Sequence, residues 1–60
     1  MTSSELIKLL EANGWALSRV RGSHHVYVHA SRSQIITVPH PRKGLGKGLL
    51  NNLLKIAGLK

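Results

Sequence analysis

Apolar positions at the start of the chain recur at helical spacing. Leu6, Leu9 and Leu10 fall on one stripe, and Ile7 widens it. The segment Thr2-Ser3-Ser4-Glu5 ahead of them has capping-box form, with Thr2 as N-cap and Glu5 at N3, and Ser3 as a competing cap. Asn13-Gly14 supplies a stop, because glycine readily takes the left-handed conformation that ends helices. The pattern predicts a helix over 3–13. The period then shortens to two. Trp15–Val20 predicts a first strand, Arg21-Gly22-Ser23 a turn, and His24–His29 a second strand rich in β-branched and aromatic residues. Ala30–Ser33 reads as a hairpin loop and Gln34–Val38 as a third strand. Connections this short predict an antiparallel meander.

Pro39–Gly46 holds two prolines and two glycines, which forbid regular structure there. A helical stripe returns over Lys47–Ala57. Leu49, Leu50, Leu53, Leu54 and Ala57 share one face, Lys47, Asn51 and Lys55 the other, and Gly58 ends the run. The order is α-β-β-β-α. The expected class is α+β, one domain over 1–60, with a three-stranded antiparallel sheet and both helices on one face. Trp15 is expected in the core. Alternation along His24–His29 separates Val26 and Val28 from His25, Tyr27 and His29. Sorting by polarity assigns the His25, Tyr27, His29 row to the sheet face that the helices leave uncovered.

Charge sharpens the picture. Nine Lys and Arg stand against two acids, for a formal net charge of +7 and a pI near 11.1. Both acids, Glu5 and Glu11, precede Ala12. Only Lys8 among the nine cations does, so eight cations and no acid follow. Such one-sidedness favours a polyanionic partner over a merely solvated surface. The 60-residue chain has room for one small core and a surface site. No apolar run approaches the ~18–20 residues that span a bilayer, so no membrane partner is expected. The start lacks a basic segment before an apolar one, and there is no cysteine. A cytoplasmic setting is the default, and disulfides and thiolate metal sites are excluded.

The candidate chemistry narrows by elimination. Paired-carboxylate catalysis and carboxylate-held Mg²⁺ lack their residues. Gly44-Leu45-Gly46-Lys47-Gly48 does not make a phosphate loop, because Pro41 stands where the first glycine belongs and Gly48 where Ser or Thr should follow the lysine. His25 and His29 share a strand face but lie ~13 Å apart, too far to share one metal ion. No metal and no small-molecule cofactor are expected. Histidine remains as an acid–base group suited to neutral pH. RNA cleavage needs little more, since the 2′-hydroxyl is an internal nucleophile and cations can stabilise the charged phosphorane. Simple nucleic-acid binding is the competing reading of the same composition.

The run Gly22-Ser23-His24-His25-Val26-Tyr27-Val28-His29 resembles the HicA family of bacterial toxins. The likeness extends over Ser3–Trp15, over Val38-Pro39-His40-Pro41 and over the closing Ala57-Gly58-Leu59. The resemblance implies a double-stranded-RNA-binding-domain-like fold. It implies an mRNA endoribonuclease that acts without translation, and neutralisation by a HicB-like antitoxin; the expected enzyme is sequence-tolerant, and the absence of acids after Glu11 points to cleavage without metal. The resemblance puts catalysis on His24, with Gly22 and Ser23 as the structural turn before it. Arg19, Arg21, His25, Arg42, Lys43 and Lys47 are the candidate RNA-binding residues. His25 and His29 are weighed as RNA or antitoxin contacts against solvated strand residues, His40 as an RNA contact against loop filler, and Tyr27 as a base-stacking platform against strand packing. The alternative is a non-catalytic double-stranded-RNA-binding module, which has no need of a histidine in the turn.

Overall fold

Helix α1 (Ser3–Ala12) begins where the capping box puts it. The Thr2 hydroxyl accepts from the Glu5 N–H at 3.1 Å, and the Glu5 carboxylate accepts from the Thr2 N–H at 2.8 Å. These bonds from Thr2 hold the Glu5 carboxyl below the usual carboxylate range. The helix stops one residue before its predicted end. Asn13 leaves helical geometry, and its side-chain amide donates to the Leu9 carbonyl at 2.8 Å. Gly14 follows at φ 92, and a Cβ there would lie 2.7 Å from His29 Nε2. Both the backbone angle and the close ring demand glycine.

The computed structural model describes every residue, Met1–Lys60. Strands β1 (Trp15–Arg21), β2 (His24–His29) and β3 (Arg32–Pro39) form an antiparallel sheet in the order β1-β2-β3. The expected four-residue hairpin loop shrinks to Ala30-Ser31, so β3 starts earlier than the sequence suggests. It also ends later, on Pro39, which pairs with His24. Proline is tolerated there because β3 is an edge strand and Pro39 is its last residue. Irregular backbone follows to Gly46, where helix α2 (Lys47–Ala57) begins, and Gly58 closes that helix.

The core gathers Leu6 and Leu10 of α1, Leu53 and Ala57 of α2, and Trp15, Tyr27, Ile36 and Val38 of the sheet. Leu45 from the irregular segment joins them. Both leucine stripes therefore meet the same sheet face. Leu49, counted in the second stripe, points away and is exposed.

The polarity sorting of β2 is overturned. Tyr27 is 2% exposed and packed under the helices, while Val28 is 38% exposed on the uncovered face. Tyrosine buries more area than valine, ~150–250 Å² for an aromatic ring, so facing Tyr27 inward gains more. Burial raises the Tyr27 hydroxyl pKa above its usual value, with a smaller contribution from the Glu11 charge. His25 and His29, on the same side, are half-buried at the two ends of the core. His29 Nδ1 accepts from the Ser31 N–H at 3.1 Å, so Nε2 carries the proton and donates to the Asn13 carbonyl at 3.0 Å. It also meets Trp15 edge-on, with ring centroids 5.1 Å apart. His29 is thus a strut between the β2–β3 turn and the end of α1.

Candidate functional site

The site is built around one tight turn. Arg21 and His24 are direct cross-strand partners, so Gly22 and Ser23 alone reverse the chain. Gly22 has φ 59, and Ser23 has no positive φ. A two-residue loop with the left-handed angle at its first position is the type II′ arrangement, whose twist suits a hairpin. Nothing lies within 4 Å of a Cβ built at Gly22, so the requirement for glycine there is one of backbone alone.

Facing residues of an antiparallel pair share a sheet face. The row Arg21, His24, Pro39 is followed by the row Arg19, Val26, Thr37. Both lie on the face without helices. Together with Ile35, the residues Arg19, Arg21, His24, Val26 and Thr37 line a shallow depression of about 480 Å³. His24 is exposed at its rim. The depression holds two guanidinium groups, an imidazole and no carboxylate. The chain's two acids sit on α1, across the sheet. Arginine presents a planar fork of donors that matches phosphate oxygens. Such a set can hold a phosphodiester and move a proton beside it.

The remaining candidates lie elsewhere. Arg42 and Lys43 line a separate depression with Thr2, Ser3, Ser4 and Pro41, at the start of α1. Lys47 opens α2. His25 is on the helix side of β2, where its ring meets that of His40 edge-on at 4.7 Å. The chain neighbours His24 and His25 therefore serve opposite faces.

Two residues of this region carry more structure than their sequence suggests. Ser3 is 1% exposed, and its hydroxyl lies 2.7 Å from His40 Nδ1. The same oxygen accepts from the Arg42 N–H at 2.8 Å, and the Ser3 N–H donates to the Arg42 carbonyl at 3.0 Å. The His40 N–H donates to the Ser23 carbonyl at 2.7 Å. In the sequence Ser3 is hidden as a spare helix cap. His40, weighed in the sequence as an RNA contact against loop filler, is turned to the helix side, and no local pattern marks its link to Ser3.

The model of the family described as the HicA toxin of bacterial toxin–antitoxin systems matches residues 3–59. Among solved structures, the chain is similar to one in a HicA3 and HicB3 toxin-antitoxin complex. The two are 45% identical, the match covers 100% of this chain and 97% of that one, and the TM-score is 0.88. Among proteins of curated function, none matches.

Proposed function

This chain belongs to the HicA family of toxins of bacterial toxin–antitoxin systems, and from that premise we propose that it cleaves RNA with His24 as the acid–base catalyst. The observation that carries the reading is the depression in which His24, Arg19 and Arg21 converge without a carboxylate. An arginine pair holds the scissile phosphate. His24 takes the proton of the 2′-hydroxyl as the 2′-oxygen forms its bond to phosphorus. The bond from phosphorus to the 5′-oxygen then breaks, and that oxygen leaves with a proton from the protonated histidine or from water. Arg21 and Arg19 stabilise the charge that builds on the phosphorane. The products are a 2′,3′-cyclic phosphate and a free 5′-hydroxyl. Carboxylate-held metal ions have no ligands in this depression, so the proton transfers fall to the histidine.

The reading extends to a partner. A HicB-like antitoxin with an acidic surface covers the uncovered sheet face. An interface of ~800 Å² per partner would take about a fifth of the 3965 Å² surface, enough to exclude RNA without any change of shape. A charge of +7 speeds association with such a partner.

The test uses purified protein and an RNA oligonucleotide. Cleavage should persist in EDTA and leave a 2′,3′-cyclic phosphate end. A single deoxyribose at the cleaved position should block it. Loss of activity in EDTA, or equal cutting of the deoxy substrate, would overturn the mechanism. Binding without any cleavage would return the protein to the class of RNA-binding modules. With the antitoxin present, RNA should be displaced, and a ternary complex that retains RNA on the His24 face would sink the steric model.

A further inference from the structure

Resting on the reading of His24 above, we infer that His40 is a positioning residue for that catalyst, held in place by the buried hydroxyl of Ser3. His40 touches no face that RNA can reach at His24. Its side chain is half-buried on the helix side of the sheet. What it holds is the peptide that leads into His24.

The starting point is Pro39. It faces His24 across the ladder at a position whose N–H would point away from β2, so its lack of one costs the sheet no bond. His40, the next residue, turns its N–H toward β2 and donates to the Ser23 carbonyl at 2.7 Å. That carbonyl belongs to the peptide between Ser23 and His24. The position of His40 therefore fixes the plane from which the His24 side chain departs.

His40 is itself fixed from two further directions. Its Nδ1 lies 2.7 Å from Ser3 Oγ, and its ring stands at 74° to the ring of His25, with centroids 4.7 Å apart. Ser3 cannot drift, because it is 1% exposed and is tied to Arg42 through both its hydroxyl and its N–H. The chain of contacts runs from the first residue of α1, through His40, to the turn of the catalyst. Each link is a hydrogen bond of ordinary length. A buried serine is also well suited to this work. Its rotatable hydroxyl can donate to a neutral Nδ1 or accept from a protonated one, so the link survives either state of the ring. Catalysis by a positioned base is sensitive to this support, and a displacement of ~1 Å can cost ~10²-fold in rate.

The test exploits which nitrogen is used. The amide of asparagine lies near the place of Nδ1, and that of glutamine near Nε2. His40→Asn should keep the bond to Ser3, whereas His40→Gln and His40→Ala should lose it. The expected result for the last two is kcat lower by about 10- to 100-fold with KM for RNA little changed, and for His40→Asn a kcat close to wild type. Glutamine and asparagine variants that behave alike, or a His40→Ala protein with wild-type kcat, would overturn the inference. A second readout needs no activity. In NMR spectra of the free protein, the Ser23 and His24 signals should shift in His40→Gln and stay in place in His40→Asn. Unmoved signals in His40→Gln would sink the positioning role. If instead His24→Ala cleaves as well as wild type, it is the catalytic reading that fails, and the NMR comparison still decides the role of His40.

Discussion

The two faces of this sheet are made by alternate residues of the same three strands, yet they differ in almost every physical respect. Beneath the helices lie Trp15, Tyr27, Ile36 and Val38, each no more than 2% exposed. On the other side stand Arg19, Arg21, His24 and Thr37, with Ile35 at 52% and Val28 at 38% exposed. A domain of 60 residues has apolar helix surface enough for one face only. The second face is left to solvent or to a partner. The comparison also shows that apolar content alone does not identify the inner face. Val26, Val28 and Ile35 are all outward, and only Val26 is buried there, flanked by Arg19 and Thr37 in its row.

The largest effect that separates the faces should come from two adjacent histidines. His24→Ala removes the proposed proton carrier and should lower the cleavage rate by ~10²–10⁴, with growth arrest abolished on induction. His25→Ala, on the helix side, should change the rate far less and act through His40 alone. Single-turnover cleavage of one RNA by both variants makes the comparison. Undiminished cleavage by a folded His24→Ala protein would remove catalysis from the open face.

Next come two adjacent isoleucines. Ile36 is 1% exposed and Ile35 is 52% exposed. Ile36→Ala should cost ~2–5 kcal/mol, a large part of the stability of so small a domain. Ile35→Ala should fall within about 0.5 kcal/mol of wild type. Urea unfolding followed by tryptophan fluorescence reads both. Equal losses would mean that the open face is covered in solution.

Much of this architecture is legible in the chain. The cap at Thr2, the glycine stops, the two leucine stripes and the Gly22-Ser23 turn are local devices, fixed by a few neighbouring residues. The five elements and their order follow from them. Strand parity divides residues into two sets but is silent on which set faces inward, and an amphipathic residue such as Tyr27 defeats sorting by polarity. The same parity puts His24 with Val26 and Val28, and those two valines, taken for core, hid its place on the open face. Leu45 and His40 lie in a segment without period, where only tertiary contacts decide what is buried. The clasp of Ser3, His40 and Arg42 joins residues 37 to 39 positions apart, and no local pattern encodes it.

A smaller difference should appear in salt dependence. If Arg19 and Arg21 hold phosphates on the open face, replacing either with alanine should reduce the slope of log affinity against log salt by about 0.7 for single-stranded RNA. Changing Arg42 or Lys43, in their separate depression, tests whether the bound strand extends that far. A slope that stays constant in all four variants would show that the affinity is not carried by these cations.

The smallest effect is a titration, and it reports on the inner face directly. Tyr27 is the chain's single tyrosine, so the phenolate absorbance belongs to it alone. Its hydroxyl pKa is raised in the folded protein, chiefly by burial and secondarily by the Glu11 charge. The ionised form is the one that burial disfavours, so the unfolded chain loses this proton at lower pH than the folded one. The linked stability is therefore fully present below the unfolded value, near ~10. It is lost as pH rises from there through the folded value. Phenolate absorbance of the native protein should lag behind that of the urea-unfolded chain as base is added. In Tyr27→Phe the fall in stability over that alkaline window should be absent. Glu11→Gln should move the native titration slightly downward, since the minor contribution is repulsion between the carboxylate and the phenolate. A native titration that coincides with the unfolded one would put the ring in water. The assignment of the two faces would then be reversed.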